Sequence, residues 1–247
     1  MAIEAIVWLA TVALMAGVVQ STVGFGFGIV FLALAGLLVD VKMASMVSAF
    51  VSVVLNGKLL LNLHRHINWQ RLRPILISVV IATPFGVLFL QKISSDWFNL
   101  FLGLLILWAL QQQFYPAQAD KRPSNTLVGI PMGIVSGLFA GAYNTGGPPL
   151  VVYVQSQGLE RLEKVASLQL LLLVGSLVRV EEMWRQDVLI PGLLWPIVIC
   201  CVATIIGSAI GLRLLDRISD VWFKRIMGVF LLLLAIYYMG QWLGLGA

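Results

Sequence analysis

Apolar runs of 12 to 25 residues, cut by short charged or glycine-rich interruptions, make up almost all of this 247-residue chain. They fall at 3–19, 23–39, 43–63, 72–90 and 97–115, then at 126–143, 146–157, 165–180, 188–212 and 221–245. In all, 60 % of residues are apolar and 11 % charged, against about 45–50 % and about 25 % in a soluble domain. So few charges cannot cover a water-facing surface at this length. That excludes a cytosolic enzyme, a disordered chain and a secreted disulfide scaffold. What remains is an all-α integral membrane protein, because a helix of about 20 apolar residues crosses the hydrocarbon with its backbone groups paired internally.

The net charge is +5, but no basic run carries interleaved aromatics, so no nucleic-acid partner is expected. The partner is the lipid bilayer, and the cations belong in its flanking loops. Cys200 and Cys201 are sequence neighbours that cannot easily bridge each other, and they read as small apolar residues. The start of the chain, MAIEAIVWLA, has an acid and no cationic region. It is expected to be a first membrane segment rather than a cleaved signal. The eight tryptophans lie largely near segment ends, the ordinary place for interface anchors.

The chain also repeats itself. Gly17 and Gly26 recur as Gly137 and Gly146. Lys42-x-Ala44-Ser45 recurs as Lys164-x-Ala166-Ser167, and Ala82-Thr83-x-x-Gly86 as Ala203-Thr204-x-x-Gly207. Lys92-Ile93-Ser94-x-x-Trp97-Phe98 recurs as Arg217-Ile218-Ser219-x-x-Trp222-Phe223. Four matches in order, at an offset of 120 to 125 residues, indicate a duplication. The expected organisation is a first membrane repeat over 1–115, a cytoplasmic linker over 116–125 and a second repeat over 126–247.

Charge relates the two halves. If the glycine-broken block opening each half crosses once, the loop cations split 7 to 8 between the faces. If each block enters and returns, Arg65, Arg71, Arg73, Lys121, Arg122, Arg161, Lys164, Arg213, Arg217, Lys224 and Arg225 share one face. Lys42, Lys92, Arg179 and Arg185 lie opposite, a split of 11 to 4. The second arrangement obeys the positive-inside rule. The expected fold is therefore two inverted repeats, each a glycine/proline-broken helical hairpin followed by three transmembrane helices. Both termini then lie outside the cytoplasm.

The broken blocks are the candidate site. One contains Gln20, Gly24, Gly26 and Gly28, and the other Asn144, Thr145, Gly146, Gly147 and Pro148. Non-helical backbone at membrane depth is tolerated where it is buried in protein or lines a wet cavity. Proline suits the first turn of a helix, where its missing N–H is not needed. A helix N-terminus offers free N–H groups and partial positive charge. Two such ends meeting near the midplane make an anion site, an arrangement used by inverted-repeat transporters. The competing reading is close helix packing through small residues. Glycines at every second position, 24, 26 and 28, do not share one helix face, which weakens it.

Lys58 and Arg179 occupy matching repeat positions inside apolar stretches. Intramembrane cations are costly and mark function by default, although both lie near stretch ends and a long side chain there can snorkel. Gln20, Asn144 and Gln169 are uncharged donors suited to oxyanion oxygens or to structural pairing. His64 and His66 flank Arg65 with no cluster of further ligands, so no metal is expected, and no cofactor.

The duplicated architecture, with Gly24-Phe25-Gly26-Phe27-Gly28 in one half and Gly141-x-x-Asn144-Thr145-Gly146-Gly147-Pro148-Pro149-Leu150 in the other, resembles the TauE/SafE sulfite exporter family over about residues 10–240. The resemblance implies transport of a small sulfur-containing or related organic anion, such as sulfite, an organosulfonate or a sulfoacetate-like molecule. It implies export across the cytoplasmic membrane by alternating access. No phosphate-binding G-x-x-x-x-G-K-[ST] is present, so the energy is expected from a gradient, with a coupling ion or by uniport. A monomer or a homodimer fits equally. The alternatives are an intramembrane enzyme, which needs a nucleophile–base pair or paired carboxylates within the spans, and a non-transporting scaffold or receptor. The topology is testable. In a background lacking Cys200 and Cys201, single cysteines at Ser124 and Gln186 are expected to react with an impermeant thiol reagent from opposite sides. Labelling of both from one side contradicts inversion.

Overall fold

The computed structural model describes residues 3–61, 63–92, 95–114, 128–187, 192–215 and 220–243. These form helices α1 (Ile3–Val23), α2 (Phe27–Ala35), α3 (Val41–Leu61), α4 (Trp69–Lys92) and α5 (Ser95–Phe114). The order then recurs as α6 (Gly129–Tyr143), α7 (Gly147–Ser156), α8 (Arg161–Arg185), α9 (Leu194–Leu215) and α10 (Asp220–Trp242). The expected linker, 116–125, and residues 93–94 and 216–219 of the last repeat motif lie outside the described residues.

Each apolar run becomes one helix, with two instructive differences in extent. The 165–180 run grows into the 25-residue α8, about 37 Å long. Glu160 and Glu163 form a reciprocal capping box at its start, and Arg185 pairs with Glu181 at 2.7 Å near its end. Polar ends of a membrane helix stand in water and need no apolar character. The second difference is the first break. α1 continues through Val23, and α2 begins only at Phe27. Gly24 and Gly26 have φ of 90° and 106°, the left-handed region that glycine enters without steric penalty.

Among the described residues, the stretches Ile3–Val23, Val41–Leu61, Trp69–Phe89 and Leu194–Leu214 are long and apolar enough to cross a membrane. α2 and α7 are not. At 9 and 10 residues they measure about 13 and 15 Å, half a hydrocarbon core. They fold back on the helices before them. Trp8 Nε1 donates to the Leu34 carbonyl at 3.1 Å, while Gln20 meets Phe27 at the other end of the pair. Gly129 packs on Tyr153, while Ser136 donates to the Gly146 carbonyl at 2.8 Å. Large apolar side chains along the outer faces of α4, α9 and α10 stay exposed, including Ile77, Ile81, Phe85, Val202, Ile206 and Leu233. Exposed Trp69, Trp97, Trp184, Trp195 and Trp242 sit near helix ends. An apolar belt bounded by tryptophans is a lipid-facing surface, and the chain is a multi-pass membrane protein.

The first helix of each hairpin packs chiefly on the fourth helix of the other half, α1 on α9 and α6 on α4. Small residues set both contacts. Gly17 lies on Thr204, Gly207 on Leu14 and Gly211 on Val18, so α1 and α9 run in the same direction. Gly133 lies on Ser78, Gly137 on Ala82 and Gly141 on Thr83 and Gly86, so α6 and α4 also run together. α3 and α8 cross in opposite senses, with Ser45 beside Arg179 and Gly57 beside Leu173. Thus both uses of glycine expected from the sequence occur, packing along the helices and breakage at the tips. All nine residues of α2 are buried, as are Leu150, Val151, Tyr153 and Val154 of α7. Tyr238 of α10 donates to the Ala33 carbonyl at 2.7 Å and satisfies the far end of α2.

A Cβ at Gly141 would overlap the Thr83 carbonyl oxygen, whereas one at Gly240 meets nothing within 4 Å. Gly141→Ala is expected to destabilise the purified protein by about 1–3 kcal/mol through overpacking. Gly240→Ala is expected to be neutral or slightly stabilising, since it removes only helix-interior glycine. Melting of both variants in detergent checks the contrast.

Candidate functional site

The tips of the two hairpins meet. A Cβ on Gly28 would overlap the Asn144 carbonyl, and Gly147 faces the Phe25 ring, which a Cβ would approach to 3.3 Å. Between them lies a cavity of about 20 Å³. Its walls are Gln20, Gly26, Phe27, Gly28 and Ile29 from the first tip, Asn144, Thr145 and Gly147 from the second, Ser52 and Asn56 from α3, and Leu172 and Ser176 from α8. A second cavity of about 10 Å³ lies beside Gly146, Asn144 and Ser176. Such volumes hold about one water each. They are too small for a sulfonate, so the structure shows the two tips closed on each other.

Side chains secure the broken backbone. Gln20 Oε1 accepts the Phe27 N–H at 3.0 Å, and Gln20 Nε2 donates to Asn56 Oδ1 at 2.9 Å. Gln169 Nε2 donates to the Gly24 carbonyl at 2.8 Å. Gln20, Asn56 and Gln169 are all buried. Asn144 adopts φ 57°, ψ 31° at the end of α6. Its Nδ2 donates to Ser52 Oγ at 2.7 Å and to the Ser48 carbonyl at 3.0 Å, and Ser176 Oγ donates to its Oδ1 at 3.3 Å. These bonds hold in a low-dielectric interior where an unpaired polar group costs about 1–3 kcal/mol.

The two helix starts offer different donors. The first N–H groups of a helix have no intrahelical acceptor. In α2 the Phe27 N–H goes to Gln20, which leaves those of Gly28 and Ile29, two residues of the cavity wall, without an intrahelical acceptor. In α7 the first turn reads Gly147-Pro148-Pro149. Both prolines start the helix as the sequence implies, but neither has an N–H. Gly147 is therefore the N–H donor of that turn. Ser52, Thr145 and Ser176 add hydroxyl groups to the lining, and no charged side chain among the described residues lies on it.

Of the candidate residues, Gln20, Gly26, Gly28, Asn144, Thr145 and Gly147 come together at the cavity, with Gly146 on the adjacent one. Gly24 and Gln169 stand behind the wall and bond each other. Pro148 is buried in the first turn of α7. The two cations stand apart from it. Lys58 Nζ donates to the Ile205 carbonyl of α9 at 3.2 Å, on a partly exposed face. Arg179 is 0 % exposed and bonds the last turn of α6. It is therefore not the loop cation that the charge count took it to be. Ser48, Ser52, Asn56 and Ser176 were not among the residues expected at the site. Ser45, Ser48, Ser52 and Asn56 recur at i, i+3, i+7 and i+11, a polar stripe on one face of an apolar helix. That spacing is the signal that marks them.

Residues 9–238 match the family described as Sulfite exporter TauE/SafE. A probable sulfite/organosulfonate exporter TauE of Cupriavidus necator is 30 % identical over 172 residues, which cover 65 % of this chain and 64 % of the relative. The chain thus aligns with a little under two thirds of that relative's length. No solved structure matches. The matched family is one of exporters rather than enzymes. The match begins within α1, ends within α10 and takes in both hairpin tips, and the chain belongs to the TauE/SafE sulfite exporter family.

Proposed function

We propose that this protein is a secondary carrier that exports a small sulfur-containing or related organic anion across the cytoplasmic membrane. The observation that carries this reading is the meeting of two broken helices inside the bundle. The first-turn residues Phe27, Gly28, Ile29 and Gly147 and the hydroxyl residues Ser52, Thr145 and Ser176 line one cavity, on which no acidic side chain lies among the described residues. An oxyanion leaving water loses hydration worth on the order of tens of kcal/mol in the Born limit, and preplaced donors must offset that loss. Glycines at 26, 28 and 147 let the backbone reach the anion without an intervening Cβ. The named activity of the Cupriavidus necator relative supports the sulfur-containing class.

The transport cycle proposed is alternating access between two inverted halves. It is supported by the opposite run of α3 and α8, which occupy equivalent positions in the recurring order of helices. The hairpin tips then enter from opposite faces. Parting them widens the cavity toward one side at a time, and the closed state described above is the intermediate. The proposed orientation places the cationic α3–α4 and α7–α8 connections in the cytoplasm and both termini outside. A single chain encloses the cavity, so one copy suffices for the site.

Flux of radiolabelled sulfite and isethionate into proteoliposomes tests the function directly, with phosphate and chloride as controls. Rates no higher than in protein-free vesicles for every anion overturn it. The site is tested by mutation. Gly147→Val covers the N–H of the α7 start and is expected to abolish stabilisation of the purified protein by any anion that the wild type transports. Asn144→Ala is expected to weaken binding less, by about 1 kcal/mol for one neutral hydrogen bond. Wild-type stabilisation of Gly147→Val places the anion elsewhere.

A further inference from the structure

Arg179 is the largest fully buried side chain among the described residues, and no aspartate or glutamate is buried with it. Its guanidinium is seated on the end of α6. Nη1 donates to the Ala140 carbonyl at 3.1 Å, and Nη2 to the Ala142 carbonyl at 3.4 Å and to Ser45 Oγ. Nε is buried and has no hydrogen-bond partner among the described residues. The Ala140 carbonyl also accepts the N–H of Asn144, a cavity residue, at 2.9 Å. Ser176, one turn before Arg179 on α8, lines the same cavity. A full positive charge with no carboxylate against it thus sits one layer behind the wall.

The helix ends explain why that charge matters. A helix carries about half a positive charge at its start and about half a negative charge at its end. Each hairpin tip joins an end to a start, α1 to α2 and α6 to α7. The two half charges at each tip largely cancel, so the breaks alone make a site rich in donors but close to neutral. At the first tip the exposed carbonyl of Gly24 is met by a neutral amide, Gln169. At the second, the carbonyl end is met by a cation.

We propose that Arg179 is the countercharge of the anion site. It acts through the α6 carbonyls without touching the substrate, and it matches the cavity to singly charged oxyanions such as sulfonates and bisulfite rather than to dianions. This rests on reading the central cavity as the anion site. A monoanion neutralises the buried guanidinium, whereas a dianion leaves one charge uncompensated in a low-dielectric interior. Arg179 is thus a positioning residue for charge, and Lys58, bonded to α9, has no such role.

The test is thermal-shift titration of the purified full-length protein with isethionate, a monoanion, and sulfoacetate, a dianion of similar length. The wild type is expected to bind isethionate at least about tenfold more tightly. Arg179→Lys keeps the charge and is expected to retain that preference. Arg179→Gln is expected to lose about tenfold or more in isethionate affinity. A purely structural arginine predicts that lysine and glutamine do equal harm, and that outcome overturns the proposal. So does wild-type isethionate affinity in Arg179→Gln, or equal or tighter binding of sulfoacetate by the wild type. That last comparison decides the matter alone if Arg179→Gln does not fold. Absence of stabilisation by either anion overturns the anion-site reading itself, and this inference with it.

Discussion

The approach of Gly28 to the Asn144 carbonyl is the contact on which the interior depends. It brings a helix start from one half against a helix end from the other with no side chain between them. Any other residue at position 28 would push the tips apart. With the tips together, Thr145–Gly147 of the second break are buried and Gly24–Gly26 of the first are partly covered, and cover by protein is the condition under which such backbone survives in a membrane. Gln20 and Gln169 then satisfy groups that the first break releases, and the Asn144 side chain ties the second to Ser48 and Ser52 of α3. Gln20 and Asn144 also line the cavity, so the groups that secure the breaks are among those that shape it.

That contact is held in place from a distance. α1 and α6 reach the centre because each is locked along its length to the fourth helix of the other half, through Gly17, Gly207 and Gly211 on one side and Gly133, Gly137 and Gly141 on the other. These interlocks use close backbone approach rather than a hydrophobic driving force, which lipid does not supply between helices. The closely packed α1–α9 and α6–α4 pairs are joined by the α3–α8 crossing.

The two tips are similar in layout and different in chemistry. α2 begins with three N–H groups, one taken by Gln20, whereas α7 begins with Gly147 and two prolines. The second tip is stiffer and poorer in donors, and it is the one backed by the buried guanidinium of Arg179. An anion in the cavity would therefore take hydrogen bonds mostly from α2 and electrostatic stabilisation mostly from the α6–α7 side.

Membrane class, number and order of helices, and the position of the second break were legible in the sequence, while the first break falls at Gly24–Gly26, beyond the gap between the apolar runs. Each follows from local chemistry: apolar runs of spanning length, glycines and prolines that cannot continue a helix, and charges that must stay in water. The limits of α8 were less legible, because its ends are polar and only the capping box at Glu160 shows where the helix starts. Which polar residues face the cavity was decided by tertiary structure. The α3 stripe of Ser45, Ser48, Ser52 and Asn56 has helical spacing, but spacing alone does not say what lies opposite. Likewise, Lys58 and Arg179 are equivalent in the repeat and look alike in sequence. Packing sends Lys58 to a carbonyl of α9 and buries Arg179 on the end of α6. Periodicity sets which face a residue occupies, while only the meeting of helices far apart in the chain sets what that face touches.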